Sequence, residues 1–154
     1  MTKRPRTGPL NKREEAAWRA MVRAVLVLPK VVEADLIQSA RLNMADYTVI
    51  ANLSEQPTQS MRMSDLATQV AMSPSGLTRV VERLARQGIL ERVRSDEDGR
   101  GQVARLTDVG RQRLTDAYPD HVESVRRRVL DHFDAVDLEA LTAALNAIGA
   151  PEDD

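Results

Sequence analysis

From residue 62 to residue 107 the spacing of apolar positions changes from helical to strand-like. Met63, Leu66, Ala67 and Val70 recur at i, i+3, i+4 and i+7, which predicts a short amphipathic helix with Ser64 as its N-cap and Asp65 in its first turn. Ser73-Pro74 opens a second helix, a capping side chain followed by proline at the first helical position, where the missing N–H costs nothing. Only Met72 and its immediate neighbours separate the two, and so short a connection predicts a steep crossing, the geometry of a helix-turn-helix. On the second helix Leu77, Val80, Val81 and Leu84 form a core stripe, with Ser75, Arg79, Glu82 and Arg86 about half a turn away on the free face. Gly88 stands where a helix end wants a positive φ, and Ile89 after it is placed to pack back on the last turn.

Beyond Gly88 the period shortens towards two. Residues 89–94 and 102–106 alternate in part and are separated by Ser95-Asp96-Glu97-Asp98-Gly99-Arg100-Gly101, which predicts a β-hairpin with a polar tip, a wing. Upstream, Trp18, Met21, Val22, Val25, Leu26, Val32 and Leu36 keep helical spacing between about residues 11 and 39, with a kink expected at Pro29. Asn43 is the expected cap of a support helix carrying Met44, Tyr47, Ile50 and Leu53 that ends before Pro57. Downstream, Thr107-Asp108 opens a long helix carrying Val109, Leu114, Val122, Val125, Val129 and Phe133, interrupted by a kink at Pro119. Asp137 caps a last helix bearing Leu138, Leu141, Leu145 and Ile148, which stops at Gly149-Ala150-Pro151.

The expected fold class is therefore mainly α with a small β-hairpin wing, a winged helix-turn-helix flanked by helices at both ends. The expected divisions are a disordered basic tail (1–10), an N-terminal dimerisation helix (11–40), a winged helix-turn-helix lobe (41–106) and C-terminal dimerisation helices (107–150). A lobe of about 65 residues cannot cover terminal helices this apolar, so a homodimer is the economical way to bury them.

Charge sharpens this picture. The net charge of −1 hides +6 over residues 1–30, −3 over 31–60, +2 over 61–105 and −6 over 106–154, so basic residues gather at the N-terminus and around the motif. The chain has no cysteine, which excludes disulfides, thiolate metal sites and thiol-based redox sensing. The longest apolar run, residues 24 to 28, is far too short to span a bilayer, and no signal-peptide core follows the basic N-terminus; the expected location is the cytoplasm, with no membrane partner. No phosphate-cradling glycine loop, G-x-S-x-G, H-E-x-x-H or cysteine nucleophile is present, so neither catalysis nor a cofactor is expected. His121 and His132 lie eleven residues apart, about three helical turns, too far to share one metal ion within a chain.

Several stretches carry a family likeness. Leu66-Ala67, Ser73-Pro74-Ser75-Gly76-Leu77-Thr78-Arg79 and Leu84-Ala85-Arg86-Gln87-Gly88-Ile89-Leu90 resemble the MarR family of bacterial transcriptional regulators. So does Asp98-Gly99-Arg100 followed by Leu106-Thr107-Asp108-Val109-Gly110, and the likeness covers nearly the whole chain. The resemblance implies a homodimer with interlocked terminal helices and two winged lobes on a pseudo-palindromic operator. It also implies release of DNA by a small, often aromatic, ligand bound between the dimer helices and the lobe.

Double-stranded DNA is the expected partner. Ser75, Thr78 and Arg79 are the candidate base contacts, because hydroxyls meet several base edges and arginine bonds guanine bidentately. Ser64, Ser73 and Arg94 are candidate phosphate contacts, the two serines also serving as caps. Arg100 has two roles open to it: entry into the minor groove, as the resemblance implies, or pairing with Asp96 or Asp98 to brace the wing. Asp96, Glu97 and Asp98 would repel phosphate unless Arg94 and Arg100 neutralise them. Trp18 and Tyr47 are the ligand-pocket candidates, with core packing as the competing role. The expected function is a ligand-responsive repressor. Its alternatives are an activator of the same fold and a winged-helix protein-interaction module without DNA binding.

Overall fold

The computed structural model describes residues 8–94 and 101–149. Helix α1 spans Lys12–Ala40 and opens with a capping box: Asn11 Oδ1 accepts from the Arg13 and Glu14 backbone N–H groups, and Glu14 accepts from the Asn11 N–H. Helix α2, Met44–Ser54, is capped by Asn43, whose Oδ1 accepts from the Asp46 N–H at 2.8 Å. Strand β1, Ser60–Arg62, leads into α3, Met63–Gln69, and a tight turn connects that helix to α4, Pro74–Arg86. Strands β2, Leu90–Arg94, and β3, Gln102–Leu106, follow, then α5, Asp108–Arg128, one 3₁₀ turn at Leu130–His132, and α6, Leu138–Gly149.

The wing is a three-stranded antiparallel sheet in the order β1-β3-β2, where the sequence pattern predicts only a hairpin. Ser60, Met61 and Arg62 pair with Arg105, Ala104 and Val103. Three residues are too few to show an alternation, and β1 exists because β3 has an edge whose N–H and C=O groups need partners.

The core lies where the lobe's elements meet. Leu36 of α1, Leu42, Val49, Ile50 and Leu53 around α2, Leu66 of α3, the α4 stripe Leu77, Val80, Val81 and Leu84, and Ala104 and Leu106 of β3 are all buried together. Gly88 takes φ +72 at the end of α4, and Ile89 after it is buried and donates its N–H to the Leu84 carbonyl at 3.0 Å.

Two helix expectations need correction. Ser64 does not cap α3: the helix starts two residues earlier, at Met63, Arg62 occupies the cap position without a side-chain cap bond, and the Ser64 hydroxyl turns to Asp65 Oδ1 at 3.0 Å. Pairing of Arg62 in β1 holds the backbone extended up to the helix start, which moves the boundary. Helix α5 ends at Arg128, short of Val129 and Phe133; 3₁₀-type bonds take over, His132 N–H to Val129 O and Phe133 N–H to Leu130 O. Three consecutive arginines, Arg126 to Arg128, stand at that end and suit its negative dipole. Helices α1 and α5 each run as one element through Pro29 and Pro119, both of them exposed.

Candidate nucleic-acid interface

The free face of α4 is built by its buried one. Leu77, Val81 and Leu84 are fully buried and Val80 nearly so, which keeps that side of the helix against the core and turns Ser75, Arg79, Glu82 and Arg86 to the surface. Ser73 is the cap as expected: its Oγ accepts from the Gly76 N–H at 3.1 Å, and it lies 3.4 Å from Ser75 Oγ. No acidic residue stands in the first turn, so the positive end of the helix dipole is left to an outside anion. Thr78 donates its hydroxyl to the Pro74 carbonyl at 2.9 Å, which leaves the oxygen lone pairs as acceptors. Arg79 is exposed and lies back along the helix, its Nε donating to the Ser75 carbonyl at 3.4 Å. Base-contact candidates Ser75, Thr78 and Arg79 thus share the first two turns of one helix.

Ser64 sits exposed on α3, and Arg94 is exposed at the end of β2 opposite Gln102. Arg100 and its acidic neighbours Asp96, Glu97 and Asp98 lie outside the described residues. The turn between α3 and α4 places Ala71 at φ +52, a left-handed conformation with no glycine to mark it in the sequence.

Several side chains that hold this surface escaped the sequence reading. Arg92 of β2 reaches Glu82 of α4 at 3.1 Å and also bonds the Gln102 side chain across the hairpin, so the wing is tied to the helix beside it. Arg83 of α4 bonds Asp46 of α2 at 2.5 Å, and Asp46 is only 5% exposed. A strand-to-helix pairing such as Arg92 with Glu82 leaves no periodic signal, and neither does a helix-to-helix pair 37 residues apart. Thr107 caps α5 as its position in the sequence implies, accepting from the Gly110 N–H at 3.1 Å, and its hydroxyl also reaches the carbonyls of Gly88 (2.6 Å) and Ile89 (2.9 Å), which the sequence did not show. A Cβ on Gly110 would run into the Ile89 carbonyl oxygen and the Leu106 side chain. The Leu-Thr-x-x-Gly stretch therefore welds the start of α5 to the end of α4.

Among the described residues, Tyr47 and Trp18 line different cavities. Tyr47 lines a cleft of about 440 Å³ between α2 and α5 with Leu114, Tyr118, His121, Val125 and Arg126. Trp18, half exposed, lines another beside Leu10, Glu15 and Arg19. The rings of Tyr47 and His121 lie 4.2 Å apart at a tilt of 41°. Burial pushes the His121 imidazole below its ordinary pKa and the Tyr47 phenol above its own, the latter with help from Tyr118 and Glu55. Among the described residues no cluster of three or more His, Asp or Glu is placed to hold a metal, and no helix is long and apolar enough to cross a membrane.

A three-stranded wing packed beside two helices at a tight turn, with the second helix baring a polar face, defines a winged helix-turn-helix protein. The MarR family model matches residues 42–101. The chain is 37% identical to AbsC, a MarR family transcriptional regulator from Streptomyces coelicolor, with 92% of this chain and 95% of that one covered and a TM-score of 0.84. Sco3205, a MarR family transcriptional regulator of the same organism solved in complex with DNA, is 28% identical over 96% of this chain and 95% of its own, with a TM-score of 0.88. The transcriptional repressor MprA of Escherichia coli (strain K12) is 22% identical over 124 residues, 69% of this chain and 70% of MprA. This chain belongs to the MarR family of transcriptional regulators.

Proposed function

We propose that the chain is a cytoplasmic, homodimeric repressor that binds a pseudo-palindromic double-stranded operator through α4 of each copy, set in successive major grooves about one helical turn apart. The observation that carries this reading is the outward polar face of α4, Ser75, Thr78 and Arg79, held by a fully buried stripe behind an acid-free first turn. Sco3205, a relative over nearly its whole length, has been solved on DNA, and MprA is a repressor. In this reading Ser75, Thr78 and Arg79 meet base edges, Ser64, Ser73 and Arg94 hold phosphates, and Arg100 enters the minor groove. A small aromatic effector would occupy the cleft between α2 and α5, where Tyr47 and His121 offer stacking faces and Arg126 a charge.

The test is selection of bound duplexes from a random library by the purified protein, with its mass measured in solution. A two-fold symmetric motif recovered by a species of twice 17.1 kDa is the expected result; an intact dimer that enriches no motif overturns the reading. On the selected operator, Arg79→Ala is expected to cost about 1–3 kcal/mol and to relax the preference at one position. Arg94→Ala is expected to weaken all sequences alike and to lower the salt slope by about one. Titrations at several salt concentrations separate the two.

A further inference from the structure

We propose that Asp46 and Arg83 are positioning residues for DNA reading: their ion pair sets the rotation of α4, and Arg83 acts through Asp46 instead of on the DNA. The proposal rests on the DNA-binding reading above. Arg83 follows Arg79 by one helical turn and lies on the border between the free face and the core stripe of α4. By spacing alone it is a further phosphate-seeking cation. Instead its Nη2 lies 2.5 Å from Asp46 Oδ1, and its Nε is buried without a hydrogen-bond partner among the described residues, so the guanidinium is committed to the protein.

Asp46 is itself fixed. Its backbone N–H donates to the Asn43 cap, and its carboxylate stands in the first turn of α2, where the helix dipole favours an anion. The side chain is 7% exposed against 37% for Arg83, so the pair closes from the protein side and not from solvent.

Apolar packing alone does not supply what this pair does. Burial of Leu77, Val80, Val81 and Leu84 is non-directional and tolerates a small rotation of the helix about its axis. A charge-assisted hydrogen bond to a buried carboxylate tolerates far less, because rotation leaves the Asp46 carboxylate out of water without its partner. On its other flank α4 is tied to β2 through Glu82 and Arg92 at 3.1 Å. Pinned at adjacent positions 82 and 83 to two different elements, the helix has one rotation in which Arg79 points outward.

The experiment measures binding of wild type, Asp46→Asn, Arg83→Met, the double variant and Arg79→Ala to the selected operator and to a scrambled duplex of equal length. Thermal unfolding and circular dichroism of each protein confirm that it is folded at the assay temperature. Asparagine is isosteric with aspartate, and methionine keeps the buried stem of arginine, so either variant carries the test if the other fails to fold. Asp46→Asn and Arg83→Met are each expected to weaken the operator about tenfold, near the loss of one bidentate base contact, while scrambled DNA stays within about twofold. The double variant is expected to be no weaker than either single one, the mark of residues acting as a pair.

Two results overturn the proposal with the DNA reading intact. One is wild-type affinity for the operator in all three variants while Arg79→Ala loses it, which leaves the pair with stability alone. The other is loss by Arg83→Met on both duplexes with a salt slope lowered by about one and no effect of Asp46→Asn, which makes Arg83 a phosphate ligand. A wild-type protein that prefers neither duplex overturns the DNA reading and the positioning role together.

Discussion

Gly110 shows how one residue can decide a junction. Its backbone lies so close to the Ile89 carbonyl that no Cβ fits, and the Leu106 side chain closes the other side. Gly110→Ala is expected to lower stability by about 1–3 kcal/mol, the usual range for forcing an extra methyl into packed backbone, and a denaturant titration reads it as a lower midpoint at unchanged slope. The glycine was visible in the sequence as part of a motif, but its reason, the approach of a carbonyl from the end of α4, was not. Ser64 makes the opposite point. Serine before an apolar helical repeat is a sound cap signal, yet the pairing of Arg62 in a strand the pattern did not reveal shifted the helix start by two residues. Ser73, with no such competitor before it, caps as its position implies.

Helix α1 is fastened to α5 by a small ionic cluster. Asp35 accepts from Arg128 through two bonds of 3.0 Å, from Ser124 at 2.7 Å and from Arg127 at 3.0 Å. Its hydrogen bonds with Arg128 come first, then those with Ser124 and Arg127, in holding this carboxyl well below the usual carboxylate range. A folded-state pKa below the unfolded value of about 4 means stability that is present at neutral pH and drains away as acid protonates the group. Asp35→Asn is therefore expected to lower Tm at pH 7, with the gap to wild type shrinking below about pH 4, as thermal scans across pH will show. Both helices were legible from apolar spacing, and Arg126-Arg127-Arg128 stood out as a charge run. That two of the three clasp one aspartate some ninety residues earlier follows only from the path of the chain.

The single chain leaves much apolar surface uncovered. Val25, Leu26 and Ile37 of α1 and Leu138, Leu145 and Ile148 of α6 are all half exposed or more, Val25 reaching 67%. Such faces at the two ends of the chain fit burial against a second copy, and the proposed dimer uses them. Leu145→Glu with Ile148→Glu is expected to shift the sedimentation mass from twice 17.1 kDa towards 17.1 kDa. The same pair of substitutions is expected to weaken the operator by more than tenfold, because a half-site bound alone loses the gain of linked binding. A dimer that withstands both charges would move the interface away from α6.

What the sequence determined by itself was, for the most part, what neighbours within about a turn govern. The Asn43, Ser73, Thr107 and Asp137 caps, the α4 stripe, the Gly88 helix stop and the two strands of the wing hairpin are all of this kind. Periodicity and capping are local, and they survive in the one-dimensional record. Tertiary structure alone decided the third strand, paired between Ser60 and Arg105, and the ion pairs Asp46 with Arg83, Glu82 with Arg92 and Asp35 with Arg128. It also decided the placing of Tyr47 against His121 and away from Trp18. A charged or hydrogen-bonding group has many partners available along a chain, and only the folded path selects the one that lies within 3 Å or so.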